Sequence, residues 1–213
     1  STLDFDTNVD GVIDTNDEYW NEGNGWEPIG TDHEDTLFDS TFDGNGYQIR
    51  NLYINRSSTD NVGLFGAVSG TNTVIRKIGM TGPLMKVVGN DEVGGLVGYL
   101  ADYKTPRVEQ SYSTGLISGR DSVGGLVGRL GVGSSITNSF ATGAVNGASG
   151  VGGLVGTFFD YYVNGQRGSY LFATGFVTAT DTDTDSSIKS GGLISAGYTN
   201  QPILNSHWAT DTS

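Results

Sequence analysis

Apolar positions along this chain recur in register. Val62-Gly-Leu-Phe-Gly66 is followed by Val93-Gly-Gly-Leu-Val-Gly98, and the same six residues return as Val123-Gly-Gly-Leu-Val-Gly128 and Val151-Gly-Gly-Leu-Val-Gly156. A degenerate copy, Ser190-Gly-Gly-Leu-Ile-Ser195, closes the series. The central leucines, Leu64, Leu96, Leu126, Leu154 and Leu193, lie about 30 residues apart through most of the array. A second string keeps that period: Ile78-Gly-Met-Thr-Gly82, Ser111-Tyr-Ser-Thr-Gly115, Ser139-Phe-Ala-Thr-Gly143 and Leu171-Phe-Ala-Thr-Gly175. Trp208-Ala-Thr-Asp211 reads as its last member. Two linked strings at one period mark a repeat architecture.

The chemistry of the repeat selects its secondary structure. Helical repeats need long 3.6-periodic segments, which are absent, and each interior glycine would cost a helix about 1 kcal/mol. Short runs of Val, Leu, Ile, Tyr, Phe and Thr broken by Gly, Asn, Asp and Ser read as strands. We expect an all-β chain: a parallel β-helix (β-solenoid) of roughly 30-residue Gly-rich repeats, with two or three short strands per coil. A β-propeller is the second choice, although its four-stranded blades take about 40 residues or more. In a solenoid each coil buries its apolar side only by stacking on its neighbours. The leucines then form an inward ladder, and Tyr112, Phe140 and Phe172 an aromatic one. The glycines would sit at corners, turning the chain at positive φ or letting backbones approach closely.

Composition narrows the function classes. The chain has 213 residues, 34 of them glycine, with a net charge of −13 and no cysteine. A hydrophobic content of 36%, with ten Tyr, nine Phe and three Trp, is enough for a core and separates it from a disordered acidic tail. The acidity argues against nucleic-acid partners and against docking on anionic lipid. No apolar run approaches the length of about 18 residues that spans a bilayer, so membrane insertion is not expected. Disulfides and thiolate metal sites are excluded, and cysteine avoidance favours an extracellular setting. No signal peptide is expected within this stretch, and the Ser-Thr-Leu-Asp start reads as a piece of something longer.

The Gly-Leu-aliphatic-Gly strings resemble the GLUG repeat of bacterial adhesins and of the non-catalytic region of IgA-specific metallopeptidases. Trp26-Glu-Pro-Ile-Gly30 and Phe42-Asp-Gly-Asn-Gly-Tyr-Gln-Ile-Arg-Asn-Leu-Tyr-Ile-Asn55 look like the lead-in to such arrays, and Asn205-Ser-His-Trp208 like their closing strand. Family members often carry Cys where this chain has Ser111 and Ser139, and Leu171 replaces that residue in a third copy. The resemblance implies an extracellular parallel β-helix within a larger surface protein, with no catalysis in the repeats. The His-Glu-x-x-His zinc motif of the metallopeptidase members is absent from this sequence.

One segment carries metal chemistry. Asp6-Thr-Asn-Val-Asp-Gly-Val-Ile-Asp-Thr-Asn-Asp17 fits the calcium loop D-x-N-x-D-G-x-x-D-x-x-D. Asp6, Asn8, Asp10, Asp14 and Asp17 would supply side-chain oxygens, Val12 its carbonyl, and Gly11 the sharp turn. Hard oxygens alternating along a tight loop suit Ca²⁺, which is the expected cofactor. Asp17 at position twelve and Ile13 at position eight resemble the loop of dockerin modules. A dockerin would have helices and a second loop, and Glu18-Tyr-Trp-Asn-Glu-Gly-Asn-Gly25 continues without an amphipathic helix. We therefore expect one isolated loop, the alternative being a solvated Asp/Asn turn. Residues 1–30 are read as calcium loop and N-terminal cap, and residues 31–213 as one continuous solenoid.

Other candidates are weaker. Phe158-Phe-Asp-Tyr-Tyr162 interrupts the array, and Phe158, Phe159, Tyr161 and Tyr162 are candidate ligand-binding aromatics, the alternative being a hydrophobic flap. Tyr99 and Tyr103 fall at a similar phase. Asp181-Thr-Asp-Thr-Asp185 could ligate a second cation or form a solvated loop. Asp91 and Asp121 precede Val93 and Val123 at one repeat phase, so we expect them to stack at a coil corner. His33 and His207 have no recognisable partner. Glycosidase chemistry needs two carboxylates about 5–9.5 Å apart, and repeat-phased acids do not suggest such a pair. The expected role is a non-catalytic structural or adhesive repeat module, extracellular or on a bacterial cell surface. Its partners would be a glycan, a host or neighbour-cell surface protein, or adjacent domains of the parent chain. The alternative is a polysaccharide lyase or glycosidase built on the solenoid face.

Overall fold

The computed structural model describes residues 2–31, 36–158, 167–180, 190–195 and 203–209. Strands stack in parallel into a β-solenoid, as the repeat period requires. Each coil runs through four faces, one or two more than expected. Strands of two to four residues advance only about 3.3 Å per residue, so each face is narrow. The first face stacks Tyr53–Asn55, Lys86–Val88, Leu116–Ser118, Val145–Gly147 and Val177–Ala179. The second stacks Val93–Gly94, Asp121–Gly124 and Ser149–Gly152. The third stacks Phe65–Val68, Val97–Leu100, Val127–Leu130 and Val155–Phe158.

The fourth face is bent into two limbs. Thr41–Asp43, Val74–Arg76 and Arg107–Glu109 form the first limb, and Gln48–Arg50, Gly79–Thr81 and Tyr112–Ser113 the second. Ser135–Ala141 and Gly168–Ala173 run through both. Leu3–Asp4 add in parallel to Gln48–Arg50, so the chain joins the sheet well before residue 31. Ile29 also bridges Phe65 on the third face.

Register places like on like. Val97 pairs with Phe65 and Val127, and Val127 with Val155. Leu64, Leu96, Leu126 and Leu154 are buried in one inward ladder. Ile54, Val87, Ile117 and Val145 form a second buried column. Each buried Val or Leu contributes about 1.5–3 kcal/mol, which only stacked coils provide. The aromatic ladder is present but faces outward: Tyr112 and Phe140 stack with ring centroids 4.7 Å apart and planes 6° apart, and Phe172 is exposed.

Glycine turns some of the corners at positive φ: Gly70 and Gly133 between the third and fourth faces, and Gly82 between the fourth and the first. At the start of the second face, Asn61, Glu92, Ser122 and Gly150 turn the chain at positive φ. Lys77, Gln110, Asn138 and Tyr170 do so at the bend of the fourth face. Only one of these eight is glycine. The glycines of the Val-Gly-Gly-Leu-Val-Gly string serve close approach instead. A Cβ at Gly124 would collide with the carbonyl of Val127 and the amide of Gly156. One at Gly125 would collide with the carbonyl of Gly153.

Candidate calcium loop and surface sites

The N-terminal loop is held by its own carboxylates. Asp6 Oδ1 accepts the Asp10 N–H at 3.1 Å and Oδ2 accepts the Gly11 N–H at 3.0 Å. Asp10 Oδ1 accepts the Val12 N–H at 2.9 Å, and its Oδ2 accepts the Asn8 Nδ2 at 3.0 Å. Asp14 Oδ1 accepts the Asn16 N–H at 2.8 Å. Asp17 closes the loop, with Oδ1 accepting the Thr7 N–H at 2.6 Å and Oδ2 the Asp14 N–H at 2.9 Å. Gly11, at φ 86, makes the sharp turn expected of position six.

Asp6 and Asp17 are each 6% exposed, unusual for aspartate outside an ion site or a hydrogen-bonded turn. Burial alone would raise the Asp17 pKa. The amides of Asp14 and Thr7 and the Thr7 hydroxyl outweigh it and hold the carboxyl below its ordinary value. The donor set is all hard oxygen, which suits Ca²⁺. The carboxylates are nonetheless turned onto backbone amides. No group of three or more His, Cys, Asp or Glu among the described residues is arranged to hold a metal.

Behind the loop lies an aromatic cluster. Phe5, fully buried, packs on Tyr19 at 4.9 Å and on Trp26 at 5.9 Å between centroids. Trp26 donates its indole N–H to the Leu64 carbonyl at 3.2 Å, and Trp20 stacks on Tyr53. Gly25 pairs antiparallel with Ile54. The loop therefore rests on the first coils through apolar packing.

Repeat-phased polar groups are consumed by the fold. Asp60 Oδ1 accepts the Asp91 N–H at 3.2 Å, and Asp91 Oδ1 accepts the Asp121 N–H at 3.3 Å, so these acids do stack at a corner. Arg120 pairs with Asp91 and with Asp121. Arg129 bridges Glu92 at 3.0 Å and Asp102 at 2.8 Å and lies over the Tyr99 ring. Tyr99 donates its hydroxyl to Asp102, and its pKa is pushed up to about 12, chiefly by burial. Tyr103 is exposed. Glu109 pairs with Arg107 at 3.0 Å.

Sequence reasoning missed a buried serine ladder. Ser111 Oγ donates to the Glu109 carbonyl at 2.9 Å, and Ser139 Oγ to the Thr137 carbonyl at 2.8 Å. Each also accepts an amide from the preceding coil: Ile78 N–H on Ser111 and Ser111 N–H on Ser139. Ser206 repeats the pattern beneath Leu171. Each serine follows a left-handed corner residue, a signal that only the coil geometry exposes.

Phe158 corrects an expectation. It is fully buried, in register with Leu130 in the third-face column. Its ring fills the core, so it offers nothing to a ligand. Phe159, Tyr161, Tyr162, His33 and Asp181–Asp185 lie outside the described residues. His207 is exposed, paired in register with Phe172.

Comparison with known proteins agrees with the architecture. Residues 119–146 match the family model of the GLUG motif. A crystal structure of a candidate immunoglobulin A1 protease from Bacteroides ovatus superposes with a TM-score of 0.59 at 20% identity. It covers 97% of this chain and 66% of that one, which establishes the shared fold. Halomucin of Haloquadratum walsbyi is 39% identical over 38% of this chain. A candidate Gly-rich membrane protein of Evansella cellulosilytica is 40% identical over 36%. The chain spans 1% and 9% of those two relatives. Among the described residues, no helix is long and apolar enough to cross a membrane.

Proposed function

We propose that this chain is a non-catalytic repeat module of a larger extracellular or surface protein, with a structural or adhesive role, stabilised at its N-terminal end by Ca²⁺. The observation that carries the non-catalytic part is the fate of the phased acids. Asp60 and Asp91 bind backbone amides of adjacent coils, and Asp91, Glu92, Asp102, Asp121 and Glu109 pair with arginines. Carboxylates so occupied build a scaffold rather than an acid–base pair. The large halomucin and the Gly-rich membrane protein support a repeat module set in a longer surface chain.

Asp6, Asn8, Asp10, Asp14, Asp17 and the Val12 carbonyl would hold the ion. Bound Ca²⁺ would supply positive charge to four clustered carboxylates and so relieve their mutual repulsion. The loop rests on Phe5, so fixing the loop steadies the aromatic cluster and the coil beneath it. Calorimetric titration tests this directly. We expect one saturable Ca²⁺ site in the parent chain and none after joint Asp10→Asn and Asp14→Asn substitution. Absence of saturable heat in the parent removes calcium from the account. Depolymerisation of a polysaccharide panel by the purified chain would favour the enzyme instead.

A further inference from the structure

The repeat is broken at one place by two independent departures. Successive coils pass from the first to the second limb of the fourth face through two residues, Lys77–Ile78 and Gln110–Ser111. The coil above them uses four, Gly44-Asn-Gly-Tyr47. The extra residues form a small projecting loop: the Gly46 N–H donates to the Lys77 carbonyl at 2.9 Å, and the Tyr47 N–H to the Gly44 carbonyl at 2.8 Å. The second departure is Gly79. It occupies the outward position that Tyr112, Phe140 and Phe172 hold in the coils below. The missing side chain leaves the Tyr112 ring lying over the glycine.

Together these departures leave a groove of about 300 Å³ lined by Tyr47, Lys77, Ile78, Gly79 and Tyr112. Tyr47 is 54% exposed, although an aromatic ring gains by burial. Asn45 and Gln110 stand at the rim. Among the described residues their side-chain amides have no hydrogen-bond partner. The Tyr112 hydroxyl accepts from Gln48 Nε2 at 2.7 Å and retains its own proton to donate. Lys77 at the rim already faces Asp43 at 4.0 Å.

We propose that this groove binds a neutral saccharide. The exposed Tyr47 ring matches the C–H face of a pyranose ring, and the Asn45 and Gln110 amides with the Tyr112 hydroxyl match its hydroxyls. The net charge of −13 and the pairing of Lys77 with Asp43 disfavour acidic sugars and phosphate. No residue of the calcium loop lines the groove, so the two sites stand or fall separately.

The test is amide-resolved NMR titration of the whole chain with cellohexaose, xylohexaose, laminarihexaose and chitohexaose, with an alginate oligomer and an aromatic-rich peptide as competitors. We expect at least one neutral oligosaccharide to shift the Gly46, Tyr47 and Gly79 amides saturably, with a Kd of about 1 mM or tighter. Tyr47→Ala should weaken it about tenfold at an unchanged melting temperature, and Tyr47→Phe should restore most of it. Gln110→Ala should weaken it less. Preference for the alginate or the peptide overturns the proposal. So do shifts confined to other faces, binding unaffected by Tyr47→Ala, or no binding to any of the four neutral probes.

Discussion

The coils spanning residues 93–158 and the segment spanning residues 3–30 are built on different logic. In the coils, every structural device is repeated: Leu96, Leu126 and Leu154 in the core, Glu92, Ser122 and Gly150 at the corner, Ser111 and Ser139 beneath the bend. The polar groups are spent between coils. The N-terminal segment keeps the coil register only where Leu3–Asp4 and Ile29 join the sheets. The carboxylates of residues 6–17 fold back on amides within the same twelve residues, and the segment packs through an aromatic cluster of Phe5, Tyr19 and Trp26. Phased chemistry builds the scaffold, whereas unphased chemistry is where a ligand is to be sought. The groove over Gly79 obeys the same rule, since it exists only where the repeat is interrupted.

The comparison can be broken most severely at a coil glycine. Gly124→Val should abolish a cooperative melt, because its side chain would meet backbone atoms in its own coil and the next. The expected loss is about 4 kcal/mol or more. A soluble variant with a near-parental melting curve would show that the coils are less closely packed than described. Leu126→Ala comes next, at about 2–5 kcal/mol, read by denaturant unfolding, for it leaves a cavity between two identical leucines.

Ser139→Ala should cost about 1–3 kcal/mol, since it strips the Ser111 N–H of its acceptor in a buried site. A near-zero effect would mean the serine ladder is incidental.

The smallest effect sharpens the other side. Asp17 has a folded pKa below its unfolded value, so its contribution is complete above the ordinary aspartate pKa of about 3.9. It is lost as pH falls through the lower folded value. Asp17→Asn should therefore flatten the acid limb of the stability profile below about pH 4 and leave the profile near neutrality parallel to the parent. An acid limb identical in parent and variant would show that the amides of Thr7 and Asp14 do not matter there.

Much of the coil region was legible because a repeat amplifies its own signal. Five leucines at one phase specify an inward column, and Asp91 with Asp121 at one phase specify a stacked corner. The corners themselves were not legible. Glu92, Ser122, Lys77 and Tyr170 share no side-chain chemistry, and their left-handed backbone is imposed by the coil, not by residue preference. Glycine marks positive φ at some corners, such as Gly70 and Gly133, but the glycines of the repeated string serve close approach. Phe158 was misjudged because its aromatic neighbours drew it into a surface run. Counting from Val155, as Leu130 counts from Val127, places it in the core. Of the candidate site, the loop with its Gly11 turn was readable as a motif. The groove was not, because it depends on a two-residue insertion whose consequence appears only when coils are stacked.

Hydrogen exchange with and without Ca²⁺ tests the central contrast most directly. The account predicts that Ca²⁺ slows exchange across residues 6–17 and in the Phe5–Trp26 cluster, while amides of 93–98, 123–128 and 151–156 exchange slowly in EDTA and calcium alike. Exchange across residues 6–17 that is indifferent to Ca²⁺, or coils that lose their protection in EDTA, would contradict it.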